Sequence, residues 1–465
     1  MPLRNLYILV TAIVVSLVCY FHAPRNRYAS TLNDAMNLIT REYLEEVEPR
    51  VLFEGAMAGM AEKLDPYSAF SEPKDFEQVE QHIDQKFGGI GVLVEMNSET
   101  KRITVMSPLV GTPAYKAGLK PGDVIMAIDG KDTEKMSLKD CVELIHGPVG
   151  KSIKLAIGRT DVKQPLEFNI ERASIKVDSV LGDLRHNNGK WRFQLTERPD
   201  VAYIRMIQFG KETVNELQQA IAQASTNGPL KGVIIDLRQN AGGLLEAAVE
   251  TCDLFLDEGE IVSTRGRDSK PRRTYSSSQG TIIPNDVPVV VLVDRYSASA
   301  SEIVAACLQD HKRATIVGQR TWGKGTVQNL IELPGKRGAL RLTVASYWRP
   351  NGKNIHKRRD ANDDDDWGVR PNDGCEVLLS DEDQERVIRA RRQRDGMLLD
   401  AKSLEPTAET KIIDNVPNQD PTEPKTSDEP PKLEDLAKLS PLKVDPQLQK
   451  AFEVLDHPHI DQEKE

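Results

Sequence analysis

Two stretches of this chain are almost wholly apolar and rich in β-branched residues, and each runs straight into a turn of small residues and then a helical pattern. The first, Gly232-Val233-Ile234-Ile235-Asp236-Leu237, passes through Arg238-Gln239-Asn240-Ala241-Gly242-Gly243 to a helix beginning near Leu244. The second, Val287-Pro288-Val289-Val290-Val291-Leu292-Val293, leads through Ser297-Ala298-Ser299-Ala300-Ser301-Glu302 into Ile303-Val304-Ala305-Ala306. Short apolar runs bounded by turn residues read as buried strands. Repeated strand, corner and helix, with another strand at Val201-Ala202-Tyr203-Ile204 and a helical pattern over residues 212–224, predict an α/β core at 173–375 in which helices cross between strands.

A hydroxyl at the second corner stands beside the unpaired N–H groups and positive dipole end of a helix start, the surroundings a developing oxyanion needs. Ser299 occupies that corner. A serine hydroxyl is a weak nucleophile unless a base takes its proton. Lys324, in Gly323-Lys324-Gly325, is one candidate. A lysine serves only when neutral, so burial or neighbouring cations must bring its amine down from about 10.4. Flanking glycines let the backbone close around it. Gln328 lies four residues on in a strand-like Thr326-Val327-Gln328, shares the lysine's face, and can orient the amine as aspartate does in a serine-histidine-aspartate triad. His311 is the rival base, but twelve residues of continuous helix put it roughly 18 Å from Ser299. Each piece alone has a plainer reading, the serines as a helix cap and the lysine as a solvated turn residue. Neither Gly-x-Ser-x-Gly nor Ser-x-x-Lys occurs at Ser299, because Glu302 holds the third position after it.

Taken together, the segment 232–245, Ser299-Ala300-Ser301-Glu302 and Thr321-Trp322-Gly323-Lys324-Gly325-Thr326-Val327-Gln328 resemble the carboxyl-terminal processing peptidases, or tail-specific proteases. In that family the lysine follows the nucleophile by 25 residues and the glutamine follows the lysine by four. Here 324 − 299 = 25 and 328 − 324 = 4, so the resemblance assigns the nucleophile to Ser299, the base to Lys324 and its orienting group to Gln328. It also implies an oxyanion hole from the backbone N–H groups of Ala300 and of one glycine of the Gly242-Gly243 pair, with Gly243 taken as the donor. The implied core is similar to the crotonase and Clp protease folds. The implied activity is that of a serine endopeptidase cutting near the C-termini of exported or membrane proteins, without cofactor or metal.

The resemblance reaches upstream. Gly88-Gly89-Ile90-Gly91-Val92, Ile103-Thr104-Val105-Met106-Ser107-Pro108 and Thr112-Pro113-Ala114-Tyr115-Lys116-Ala117-Gly118-Leu119-Lys120-Pro121-Gly122-Asp123 look like a PDZ domain of the protease-associated type, at 79–172. Its loop at Gly89, Ile90, Gly91 and Val92 would hold a chain-terminal carboxylate while an edge strand adds the peptide. Asp65-Pro66-Tyr67-Ser68, in a helical N-terminal region at 30–78, resembles the family's equivalent and is expected to pack and guide substrate rather than do chemistry. One departure is the charged stretch between Tyr347-Trp348-Arg349-Pro350-Asn351-Gly352 and Trp367-Gly368-Val369-Arg370-Pro371-Asn372-Asp373. Its Asp363-Asp364-Asp365-Asp366 run reads as a solvated loop, since adjacent carboxylates repel.

The flanks are different in character. Residues 6–21 are almost wholly apolar, and sixteen helical residues rise about 24 Å against a hydrocarbon core of roughly 30 Å. Residues 1–24 are expected to be a signal anchor or a signal peptide, and the absence of an Ala-x-Ala site after them favours the uncleaved anchor. The resemblance implies export, hence a membrane-anchored protein with a periplasmic catalytic body. After residue 376 the chain turns charged and Pro-rich, a largely disordered tail by composition with short helices at 383–394 and 446–455. A net charge of −10 argues against nucleic acid as the partner. Protein or peptide C-termini are the expected partner; self-association and an activating partner are left open. Five widely spaced cysteines make no disulfide framework, with Cys252 and Cys307 read as small buried residues whose bridging stays open. Two other function classes stand beside the protease: a catalytically inert PDZ adaptor, and a hydrolase pairing Ser299 with His311.

Overall fold

The structure is a computed structural model, and it describes residues 3–22, 27–72, 83–97, 100–160, 162–186, 189–195, 197–335, 337–396, 411–412 and 441–457. The chain divides into two units, one of residues 1–76 with 328–343 and one of 77–327 with 344–465.

At the centre of the second unit is a five-stranded sheet in the order Val180–Leu181, Val201–Met206, Gly232–Asp236, Val289–Val293, Ala314–Gly318. The first pairing is antiparallel and the other three are parallel. Parallel neighbours need crossovers, and the helices Thr213–Ala224, Leu245–Asp253 and Ala300–Asp310 supply them. The strands are predominantly apolar because both faces are covered, the charged exceptions being Arg205 and Asp236, each buried and paired, with Asp395 and Arg238. Ala202, Ile204, Val233, Ile235, Val289, Val291 and Val293 face one cluster with Ala220, Cys252 and Ile303 of the crossover helices. The alternate residues Tyr203, Ile234, Val290 and Leu292 face another, closed by the C-terminal helix Pro446–Asp456.

That this helix packs into the core is what composition alone did not give. Leu448, Ala451, Phe452 and Leu455 recur at helical spacing and are 0–7% exposed. Burying the leucine and phenylalanine side chains contributes about 1.5–3 kcal/mol each. The two helices expected late in the chain are present as Asp381–Gly396 and Pro446–Asp456, while 397–410 and 413–440 lie outside the described residues. Beside the sheet, the strand Glu260–Arg265 pairs antiparallel with Pro271–Ser276 and with Ser346, Tyr347 and Trp348.

The PDZ-like segment forms its own antiparallel sheet, running Leu166–Glu171, Ser152–Gly158, Val124–Ile128, Ile103–Pro108 and Val92–Met96. Alternation along Leu166–Glu171 and Ser152–Gly158 points Leu166, Phe168, Ile170, Ile153, Leu155 and Ile157 inward. Val92–Met96 pairs only with Ile103–Pro108 among the described residues, so its other edge is open.

In the first unit, the helices Leu3–His22, Arg27–Glu42 and Pro49–Glu62 precede a strand, Ala69–Ser71, that pairs antiparallel with Ala339, Leu340 and Arg341. Phe53 and Phe70 meet edge to face with centroids 5.9 Å apart. Leu6, Tyr7, Ile8 and Leu9 on the first helix are exposed, yet among the described residues no helix is long and apolar enough to cross a membrane.

Candidate active site

The corner after Val289–Val293 begins as an Asx turn. Asp294 Oδ1 accepts from the N–H groups of Tyr296 and Ser297, and Ser297 Oγ accepts from Asp294 N at 2.9 Å. Ser297 Oγ also donates to Leu237 O, and Ser301 Oγ donates to Asn240 O, both at 2.8 Å. The outer two serines of the repeat therefore pin this corner to the neighbouring loop. Ser299 caps the helix Ala300–Asp310 with φ 58° and ψ −114°, a backbone that β-carbon residues rarely adopt. It is 7% exposed, and the Tyr347 phenol lies close to its side chain. Burial pushes the Tyr347 hydroxyl well above its ordinary range.

Asn240 organises the facing loop. It is fully buried, donates from Nδ2 to Met206 O at 2.7 Å, and accepts at Oδ1 from Gly242 N at 2.9 Å. Its carbonyl accepts from Ala298 N at 3.0 Å. Gly242 has φ 105°, and a Cβ there would lie 2.8 Å from Ser299 Cβ and 3.0 Å from Ala300 N. At Gly243 a Cβ would meet Phe209 O at 2.1 Å. Phe209 bonds to the residues on either side, giving its N–H to Gly242 O and accepting from Leu244 N, so the Gly243 N–H points away from Phe209. Among the described residues the Gly243 and Ala300 N–H groups carry no hydrogen bond, whereas Gly242 N is taken by Asn240.

Sequence reading missed the residue that joins this corner to the lysine segment. Glu302, fully buried, accepts at Oε2 from Ser299 N and Lys324 N, each at 2.8 Å, and at Oε1 from Gly323 N and Thr321 Oγ1, each at 2.6 Å. Burial pushes its carboxyl above the usual carboxylate range, while Thr321 and the three N–H groups pull the other way. All four partners donate, and these bonds offset part of what burial costs a carboxylate there. The signal was a carboxylate three residues after a helix cap, the position of a capping-box partner.

The Lys324 segment is packed as its glycines require. A Cβ at Gly325 would lie 2.2 Å from His356 N, and one at Gly323 would lie 2.7 Å from Lys357 Cβ and 2.9 Å from Trp367. Lys357 N donates to Gly323 O and Tyr347 N to Gly325 O, both at 2.8 Å. The charged stretch beyond it is ordered around Arg320, which donates to the carbonyls of Asp363, Asp365 and Trp367 and stacks 3.4 Å over the Trp367 ring. Asp363, Asp364 and Asp366 face solvent, and no carboxylate, histidine or cysteine cluster that could hold a metal occurs among the described residues.

Gln328 lies in the first unit, where its Nε2 donates to Thr343 Oγ1 at 3.2 Å. His311 caps the far end of the Ala300–Asp310 helix, with Nε2 2.7 Å from Glu260 O. Cys252 and Cys307 are fully buried free thiols in contact with each other, and burial pushes the Cys252 thiol up. In the PDZ-like segment, Ile90 is a core residue, Gly91 has φ 75° against Thr112, and Gly89 and Val92 flank the loop as strand residues, Gly89 in a separate pairing with Ala173. The carbonyls of Ile90 and Gly91 accept from Ala114 N and Leu109 N.

Residues 200–372 match the model of peptidase family S41, residues 104–159 a PDZ domain, and residues 23–74 the N-terminal domain described for the activating protease CtpB. The chain is 41% identical over 325 residues to the carboxy-terminal-processing protease of Bartonella bacilliformis, covering 69% of this chain and 71% of that one. It is 32% identical to two Bacillus subtilis proteins, the carboxy-terminal processing proteases CtpA, over 76% of this chain and 74% of the other, and CtpB, over 72% and 67%. A strand-corner-helix that frees one serine of three, facing a glycine loop and tied to a glycine-flanked lysine, thus belongs to a protease, and the chain is a member of peptidase family S41 among the carboxyl-terminal processing peptidases.

Proposed function

We propose that the enzyme is a serine endopeptidase that cuts near the C-termini of exported or membrane proteins with a Ser299-Lys324-Gln328 triad. Ser299 Oγ attacks the scissile carbonyl carbon while the neutral Lys324 amine takes its proton. The N–H groups of Ala300 and Gly243 hold the oxyanion. The resulting ammonium protonates the departing amine, and a water activated by the same lysine hydrolyses the ester. Gln328, on the lysine's side of the extended chain by spacing, orients the amine. The observation that carries this reading is Glu302 Oε2 accepting from the backbone N–H of both Ser299 and Lys324. That one oxygen ties the nucleophile's residue to the base's residue, and His311 has no comparable link.

The PDZ-like domain recognises the substrate tail. Its open edge at Val92–Met96 supports adding a peptide strand, with the carboxylate at the Gly89, Ile90, Gly91 and Val92 loop. The exposed apolar residues Leu6, Tyr7, Ile8, Leu9 and Ile13 on the first helix support a body held at a membrane, its placement outside the cytoplasm resting on the family resemblance alone, and fractionation with protease protection in intact cells tests that placement. For the chemistry, wild type, Ser299→Ala, Lys324→Ala and His311→Ala are incubated with peptides ending in free or amidated carboxyl groups. Loss in the first two variants only, with preference for free termini, is the expected result. Loss in His311→Ala alone sinks the lysine mechanism, and an inert wild type that still binds tails leaves the adaptor.

A further inference from the structure

The Asp65-Pro66-Tyr67-Ser68 turn is more than packing. We propose that Asp65 and Thr343 are positioning residues that fix which way round the Gln328 amide stands, an inference that rests on Gln328 orienting the catalytic amine.

The argument is one of hydrogen-bond polarity. Asp65 folds the turn around its own carboxylate: Oδ1 accepts from Tyr67 N at 2.8 Å and Ser68 N at 2.9 Å, and Oδ2 accepts from Ser68 Oγ at 2.7 Å. Thr343 is docked on this turn twice. Its N–H donates to Ser68 Oγ and its Oγ1 donates to Asp65 Oδ1, both at 3.1 Å. Burial alone would raise the Asp65 carboxyl, but the bonds from Ser68, Tyr67 and Thr343 outweigh it and hold the group below its ordinary value. An ionised carboxylate can only accept, so the single Thr343 hydroxyl proton is committed to Asp65. What the hydroxyl offers Gln328 is a lone pair, and Gln328 Nε2 donates to it at 3.2 Å. An amide whose nitrogen faces Thr343 presents Oε1 as its acceptor end. An acceptor is what a lysine amine needs, because both of its protonation states donate. Were the amide reversed, its NH2 group would oppose the ammonium.

The test uses the full chain and a peptide ending in a free carboxyl group. Thr343→Val keeps the side chain's shape and removes the relay, Thr343→Ser keeps the hydroxyl, and Gln328→Ala removes the group being positioned. Thr343→Val is expected to lower kcat about tenfold with KM changed by less than about twofold, the scale of one lost hydrogen bond. The acid limb of its kcat profile should move to lower pH, since the ammonium loses an acceptor. Thr343→Ser should restore both, and adding Thr343→Val to Gln328→Ala should change nothing further. Thermal melts of each variant correct the rates for folded fraction. If Thr343→Val lowers kcat only in step with folded fraction, leaves the pH limb in place and adds fully to Gln328→Ala, the relay is wrong and Thr343 is a strut. If Gln328→Ala itself leaves kcat and the pH profile unchanged, the role given to Gln328 is what fails.

Discussion

Glu302 is the residue whose replacement tests most sharply how the site is held. In Glu302→Gln one oxygen becomes an NH2 group. Placed at Oε2 it would oppose two N–H donors, those of Ser299 and Lys324; placed at Oε1 it opposes Gly323 N, while Thr321 can turn its hydroxyl to accept. The second arrangement is the cheaper one, so the variant loses one backbone bond and weakens the others by removing their charge. A buried donor left unmade costs about 1–3 kcal/mol. Glu302→Ala leaves four donors, at least about 4 kcal/mol at the low end of that range before water enters the gap. Urea unfolding with the catalytic strand-helix unit as reporter is expected to show a small loss for Gln and a severe one for Ala.

The catalytic consequence is separate from stability. Because Oε2 fixes the backbone of Ser299 and of Lys324 at once, loosening it lets their side chains drift apart, and a misplacement of about 1 Å can cost on the order of a hundredfold in rate. Steady-state cleavage of a free-tail peptide by Glu302→Gln, at temperatures where the variant is fully folded, should show kcat reduced by tenfold or so with KM nearly unchanged. A folded Glu302→Gln enzyme with wild-type kcat would refute the reasoning, since it would mean that the carboxylate caps the helix and nothing more.

The other predictions concern neighbouring groups. Ser299→Ala should abolish hydrolysis while leaving stability within about 0.5 kcal/mol, whereas Ser297→Ala and Ser301→Ala should remain active and each lose roughly 1–2 kcal/mol by urea titration, because only their hydroxyls hold the corner. Gly243→Ala should disrupt the loop outright, since the added methyl would meet Phe209 O at 2.1 Å; loss of soluble folded protein by circular dichroism checks it. For pH, the Glu302 carboxyl is raised on folding, so its contribution to stability is fully present below its unfolded value and is lost as pH rises through its folded value. Glu302→Gln should therefore flatten the fall of stability with rising pH just above the ordinary carboxylate range, measured as urea midpoints from pH 4 to 7. Leu448→Ala should cost about 2–5 kcal/mol despite lying in a charged C-terminal region.

What the sequence made legible follows from how local each signal is. The strands Gly232–Asp236 and Val289–Val293 announce themselves because a strand buried on both faces is apolar at nearly every position, and the corner after each is written in glycine and serine. Which serine is free was not local information. It depends on Leu237 O and Asn240 O, carbonyls some sixty residues away that occupy Ser297 and Ser301, and only spacing to Lys324 stood in for that geometry. Asn240 and Glu302 were overlooked for the same reason: each looks like a turn or cap residue, and each acts by bonding to segments that the fold, not the chain, makes adjacent. What distinguishes Gly243 from Gly242 is likewise not local: pairing with Phe209 consumes the bonds on either side of Gly243 and turns its N–H away, while Gly242 N is held by Asn240. The C-terminal helix shows the converse. Its composition is polar enough to pass for tail, yet a third of a helix surface suffices to cover a sheet face, so Leu448, Ala451, Phe452 and Leu455 close the core from the far end of the chain. Val290 and Leu292, on the strand that leads into the Ser299 corner, share that cluster with Phe452, so Phe452→Ala should lower the urea midpoint although Phe452 lies far along the chain from Ser299.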